Sequence, residues 1–215
     1  MIELCIVVGT VGLLVFFGMA RLREVRRQNT KNPLQCQQNM KWIGQALSDF
    51  NADHADKMPW ELPMAEGGSR EAIPTTQATP HFRALTNFIR NTRVLVCPMD
   101  PIRHRGTSLA SMDDSALSYF LNVSATTHGR NVVLTGDRTI SPTSDTTTGE
   151  ILVTAATPVQ WTHPVPDERG HTIPGAAEPS GNLLFNNNSF IETSTLQLQR
   201  VVRSFGTNGQ RLILP

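Results

Sequence analysis

The sequence predicts an α+β protein: a long N-terminal membrane-spanning helix that continues into a helix packed on a small, mostly antiparallel β-sheet. Three observations predict it. Residues 1–20 form an unbroken apolar run in which Glu3 is the one charged side chain; at about 1.5 Å per residue, that run reaches roughly 30 Å, the thickness of a bilayer core. Between Cys36 and His54, apolar side chains recur at alternating intervals of four and three, the period of one helical face. From Leu117 onward, short apolar or alternating runs are broken by Gly, Asn and Thr, as strands are broken by turns. The chain divides accordingly into a membrane helix (1–20), a basic stalk (21–32) and an α+β head (33–215).

Composition narrows the function before any motif is read. A length of 215 residues suits one ordinary domain, and 17% charged residues is sparse. Nineteen basic against eighteen acidic residues gives no support to a nucleic-acid binder that neutralises a phosphate backbone. That balance hides an asymmetry. Residues 21–31 hold five basic residues and one acid, whereas the chain beyond residue 31 holds 14 basic and 16 acidic residues. Three cysteines without a CxxC pair offer neither a zinc site nor a thiol redox motif. No P-loop, dinucleotide fingerprint, HExxH or GxSxG occurs, so the chain is read as a non-enzyme without metal or cofactor.

The elements follow in order. Residues 1–20 lack a basic region before the apolar run and a small-residue cleavage site after it, which favours an anchor over a secretory signal. The arginines at 21, 23, 26 and 27 would by charge alone hold that flank in the cytoplasm and turn the N-terminus outward. Asn32 and Pro33 are an N-cap and first-turn pair that restarts the helix. The stripe Cys36, Met40, Ile43, Leu47, Phe50 and His54 then faces a core, with Lys41, Gln45, Ser48 and Asp49 off it. His54, beside Asp53 and Asp56, reads as a helix-end surface histidine rather than a metal ligand.

Residues 61–79 read as a loop, and residues 81–91 as a short helix burying Phe82, Leu85, Phe88 and Ile89. Residues 94–97 read as a brief strand stopped by Pro98, and 117–123 and 131–135 as strands, the second ended by Gly136. Asp137 and Arg138 then fix a turn through hydrogen bonds. Residues 141–149 form a Thr/Ser loop and 151–154 another strand, leading to Trp161, His163 and His171 in a Pro/Gly-rich stretch. Residues 181–192 place two apolar or alternating runs about an asparagine turn, a β-hairpin pattern. A helix over 195–203 using Leu196, Val201 and Val202, a turn at 206–209 and an edge strand at 211–215 close the chain.

Several of these strings resemble one family. MIEL, followed by an apolar run and an Arg-rich stretch, is similar to the N-terminus of type IV pilin-like proteins and type II secretion pseudopilins. Ile2 and Glu3 match that family's isoleucine–glutamate pair and Leu4 follows it. The glycine–phenylalanine pair and basic leader ahead of it are missing, and Met1 stands in their place. CQQNMKWIGQAL resembles the C-x-x-N-L-K-Q-I-G-x-A-L stretch of pseudopilin-like proteins expanded in Planctomycetes and Verrucomicrobia. Cys36, Asn39, Lys41, Ile43, Gly44, Ala46 and Leu47 match, whereas Met40 and Trp42 depart. VLVCPMD resembles the same group's apolar-C-P-x-D signature at Cys97, Pro98 and Asp100. Ser118, Tyr119 and Asn122 fit an S-Y-x-x-N stretch, and Gly136, Asp137 and Arg138 a GDR string. Gly181, Asn182, Phe185, Ser189 and Phe190 fit a G-N-x-x-F hairpin, in which Asn187 and Asn188 replace Asp and Gly and His171 matches an upstream histidine.

The resemblance implies a pilin-like subunit of a pseudopilus or pilus-like filament. The protein would be single-pass in a bacterial inner membrane, its head in the periplasm, an orientation opposite to the charge count. Assembly would run through Ile2, Glu3 and Leu4: an acid in hydrocarbon needs a cation, and in the family it meets a neighbouring subunit's amino terminus. Partners would be copies of the chain, other pseudopilins and inner-membrane assembly machinery. A prepilin peptidase joins them where the reading frame extends upstream, which the retained Glu3 leads us to expect. In an oxidising periplasm Cys36 and Cys97 are the natural disulfide pair, two buried free thiols being the alternative. The remaining matches imply structural roles. The competing reading is a single-pass binding or sensory domain that never polymerises.

Overall fold

A computed structural model describes Met19 and residues 33–126, 131–142, 148–162, 178–205 and 209–215. Ile2, Glu3, Leu4, the stalk, His163 and His171 lie outside the described residues. Among those described, no helix is long and apolar enough to cross a membrane.

The helix α1 (Pro33–Asp53) forms where the four–three spacing places it. Cys36, Met40, Ile43, Leu47 and Phe50 are buried along one face, and Lys41, Gln45, Ser48 and Asp49 are exposed. His54 closes the helix end: its ring stacks on Phe50 at 3.9 Å between centroids, and its Nδ1 lies 2.7 Å from the Phe50 carbonyl.

Among the described residues eight strands follow, β1 (Tyr119–Asn122), β2 (Val133–Asp137), β3 (Ile140–Ser141), β4 (Gly149–Val153), β5 (Gln160–Trp161), β6 (Ser180–Phe185), β7 (Phe190–Ser194) and β8 (Gln210–Leu214). Six make one fully antiparallel sheet in the order β4-β8-β1-β2-β6-β7, while β3 and β5 pair separately. The strand period of two sorts their side chains between two cores. Tyr119, Leu121, Leu134, Leu184 and Ile213 meet α1 and residues 58–117. Phe120, Val133, Leu183, Phe185, Leu212 and Leu214 meet β3, β5 and the helix α3 (Thr195–Arg203). Central strands covered on both faces are therefore buried throughout rather than alternating.

Local chemistry explains where the structure departs from the sequence expectation. The short helix α2 covers only Thr79–Arg83 and buries Phe82, and turns carry the chain on past Leu85 and Ile89, both buried. The strand expected at 94–97 is instead a 3-10 turn, Thr92–Leu95, whose start is capped by the Asn91 side chain accepting from the Arg93 amide. The 61–79 loop contains 3-10 turns at Met64–Glu66 and Arg70–Thr75. Gly136 does not end β2: without a side chain it lets the Phe120 ring and the Asn182 carbonyl approach, so the strand continues to Asp137.

α3 buries Leu198 and Val202, and Leu196 points to solvent. The Ser194–Gln197 capping box sets the helix start, and from there the i, i+4 pair 198/202 faces the sheet. β8 is not an edge strand: it is hydrogen-bonded to β1 on one side and to β4 on the other. The hairpin of β6 and β7 turns through residues 186–189, with Asn188 at φ +60° taking the left-handed conformation that suits Asn or Gly.

Candidate functional site

A polar seam runs between the start of α1, the 92–100 segment and the ends of β1, β2 and β6. Cys36 and Cys97 are joined in a disulfide, which ties α1 to that segment across 61 residues of sequence. One turn further along α1, Asn39 donates to the Val96 carbonyl at 3.0 Å and accepts from Gln35 at 3.1 Å. Gln37 donates to Asn182 on β6 at 3.3 Å. Asn182 offers both its backbone amide and its side-chain amide to Asp137, at 2.7 and 2.9 Å. Arg138 reaches Asp100 through two parallel bonds, Nε at 2.6 Å and Nη2 at 3.0 Å, with the side chains only 2% and 6% exposed.

Tyr119 sits inside this seam, fully buried, its hydroxyl 3.5 Å from the Cys36 carbonyl. Burial, reinforced by Asp137 and Asp100 against a hydrogen bond with Asn39, holds its phenol well above the usual range. It therefore stays neutral at any physiological pH. Arg103 borders the seam, donating to the Asp114 and Pro215 carbonyls at 3.0 and 2.6 Å. Burial first, and then the charge of Arg138, lower its pKa.

The structure thus brings together eight of the residues singled out by sequence: Cys36, Asn39, Cys97, Asp100, Tyr119, Asp137, Arg138 and Asn182. Asp137 and Arg138 reach beyond the turn after β2, to β6 and to the segment after Cys97. Pro98, half-buried, follows the cystine in the turn where the Asp100 amide donates to the Cys97 carbonyl at 2.9 Å. The others lie elsewhere. Asn122, wholly buried at the far end of β1, bonds the Val133 carbonyl and Gln210, both at 2.8 Å, and so stitches β1 to β2 and β8. Gly44 lies under the hairpin, where an added Cβ would come within 2.5 Å of Leu184 and 2.9 Å of Asn188. Gly181 faces the Trp161 ring at a distance that leaves no room for a side chain. Phe185 fills the second core.

The arrangement ties α1, the 92–100 segment and the sheet to one another. Arg138 and Asp100 pair their charges, the Asn39 and Asn182 carboxamides are bonded and the Tyr119 phenol is neutral, all in buried residues. Among the described residues no group of three His, Cys, Asp or Glu could hold a metal ion.

A second polar cluster was not legible in the sequence. Ser69 Oγ lies 2.7 Å from His81 Nδ1, both residues wholly buried, and the Trp60 ring meets His81 edge-on. Burial pushes the His81 imidazole down to about 4, against the opposing pull of Asp114. Serine, histidine and aspartate here do not make a nucleophile. The Asp114 carboxylate is occupied by the Ala78 and Thr79 amides and the Thr79 hydroxyl, and no substrate reaches a serine with zero exposure. Their sequence positions, 69, 81 and 114, carry no motif spacing that would have joined them.

Compared with known proteins, the chain matches no family model, no curated protein and no solved structure.

Proposed function

We propose that this chain is a non-enzymatic structural subunit of a pseudopilus or pilus-like filament, of the kind used in type II secretion. It would assemble through its N-terminal helix with copies of itself or with other pseudopilins, its head on the periplasmic side of a bacterial inner membrane. The observation that carries the reading is the apolar run 1–20 with one acid, at position 3, placed directly ahead of a basic stalk. The buried seam supports it: in the described head the family-like polar residues are bonded to one another, as a scaffold requires, rather than gathered in an open cleft. A filament subunit needs a rigid head on a sticky helix, and no chemical step.

Glu3→Ala tests the reading. Assembly reconstituted with the cognate inner-membrane machinery should lose most of its sedimenting material while the head stays folded, because the acid no longer neutralises a neighbouring amino terminus. Undiminished assembly of the variant would show that Glu3 does not drive polymerisation, and a parent chain that never sediments under the same conditions would favour the competing reading, a single-pass binding domain that never polymerises. A reporter fused after Pro215 supplies the second arm. Periplasmic activity is expected, and a cytoplasmic C-terminus would sink both the orientation and the filament.

A further inference from the structure

One surface feature is left over from the scaffold. Trp42 is 56% exposed on α1, whereas Trp60 and Trp161 are 3% and 2% exposed in the two cores. It is also one of the two positions at which the 36–47 stretch departs from the resembling pattern. Trp42, Gln45, Ala46 and Asp49 are spaced i, i+3, i+4 and i+7, so they share one helix face. That face forms one wall of an open groove of about 620 Å³, and residues 87–91 with Val94 form the other. The volume is in the range of about 300–1,000 Å³ typical of small-ligand sites.

The groove's chemistry is mixed in a particular way. The buried side chains Ala46 and Ile89 make an apolar base, with Phe88 and Val94 half-buried beside them. Exposed carboxamides stand above it from both walls: Gln45 donates to Asp49 at 2.8 Å, and Asn91 accepts from the Arg93 amide. Among the described residues, Trp42, Asn87 and Arg90 make no side-chain hydrogen bond or ion pair within the chain. Their donors and acceptors are uncommitted. One acid, Asp49, and one base, Arg90, cancel, so the groove attracts neither polyanion nor polycation.

We propose that this groove binds a neutral oligosaccharide, with the Trp42 indole stacked on a sugar ring. A pyranose has C–H bonds on its faces, whose slightly positive hydrogens suit the electron-rich face of an indole. Its rim carries hydroxyls, each a donor and an acceptor, which match carboxamides better than they match single-sign groups. An aromatic platform, an apolar base, uncommitted amide and guanidinium groups and zero net charge form the set of features that a neutral sugar chain satisfies. The assignment is independent of polymerisation: it places a ligand on the head whether or not the helix at 1–20 assembles.

The test uses the full chain in a zwitterionic, sugar-free detergent. Because Trp60 and Trp161 are buried, acrylamide quenching of tryptophan fluorescence reads Trp42. Cellohexaose, laminarihexaose and mannohexaose are titrated in turn. At least one should halve the quenching constant with a Kd of about 0.1–1 mM, unaffected by salt. Calorimetry, which does not depend on Trp42 emission, should then show binding lost in Trp42→Ala and weakened at least fivefold in Asn87→Ala/Arg90→Ala, with unchanged melting temperatures. Three results would each overturn the proposal: no protection by any of the three sugars, protection that instead follows protein concentration and so reports a second copy in the groove, or protection by polygalacturonate alone that vanishes with salt. Glu3→Ala should bind sugar as the parent does, which separates failure of this site from failure of the filament reading.

Discussion

Arg138 is among the largest fully buried side chains of the described residues, and its guanidinium is stable there because Asp100 meets it with two parallel bonds. Removing one partner strands the other charge in a low dielectric, which typically costs about 3–5 kcal/mol. Urea unfolding should show that loss for Arg138→Met, and the double variant Arg138→Met/Asp100→Leu should recover most of it. No recovery would mean that the pair is held by more than its own charge. His81 makes the matching prediction for pH. Its folded pKa of about 4 lies below the ordinary histidine value, so between about 6.5 and 4 the unfolded chain binds a proton that the folded chain refuses. Stability from this group is complete above about pH 6.5, declines as pH falls through that window, and levels off below about 4. A series of melts should lose part of this slope in His81→Gln, and an unchanged slope would show that His81 is not its source. At this scale the sequence identified residue types but not partners. Asp100 and Arg138 were each visible in short motifs, yet 38 residues separate them and only the folded sheet makes them neighbours.

Elements were legible where their signal is local. The four–three stripe of α1, the asparagine turn of the hairpin and the short helix over 195–203 are each written within about twenty residues, and each forms where it was expected. The segment 92–97 was not, because Val94, Leu95 and Val96 favour a strand by composition while the ladder they would join is absent. The backbone there is committed to the Asn91 cap, the disulfide and the Leu95 carbonyl, which accepts from the Ser118 amide at 2.9 Å. The cystine is the main long-range staple of α1. Closing 61 residues stabilises by about 4 kcal/mol in the chain-entropy account, so Cys36→Ala/Cys97→Ala should lower the urea midpoint by a corresponding amount. α1 also packs against the hairpin at Gly44. Gly44→Val should destabilise the head strongly, since the new branches would meet Leu184 and the Asn188 side chain at the end of the hairpin; a melting temperature within a degree of the parent would contradict that packing.

For the whole molecule, the α+β class and the antiparallel sheet were readable, but the strand order was not. Position in a sheet depends on which strands come to either side, and nothing in RLILP says whether β4 will flank it. Its lack of alternation was the available clue: Leu212, Ile213 and Leu214 are all buried, as befits a strand covered on both faces. A chain ended before residue 210 would leave β1 open along one edge and β4 without its neighbour in the sheet, and it should be recovered as aggregate or be rapidly proteolysed. Recovery of a soluble, protease-resistant product would overturn the topology.

The inward placement of β8 also sets an order of events in time. β4 joins the main sheet only through β8, so the sheet cannot close until residues 210–214 have emerged from the ribosome and, for an exported head, crossed the membrane. Cys36 and Cys97 both precede every strand. Their bond can therefore form while the rest of the head is still arriving, holding α1 against the 92–97 turn as a ready-made surface. The order of elements along the chain thus lets the disulfide act as a placeholder, closed before there is a sheet for it to stabilise.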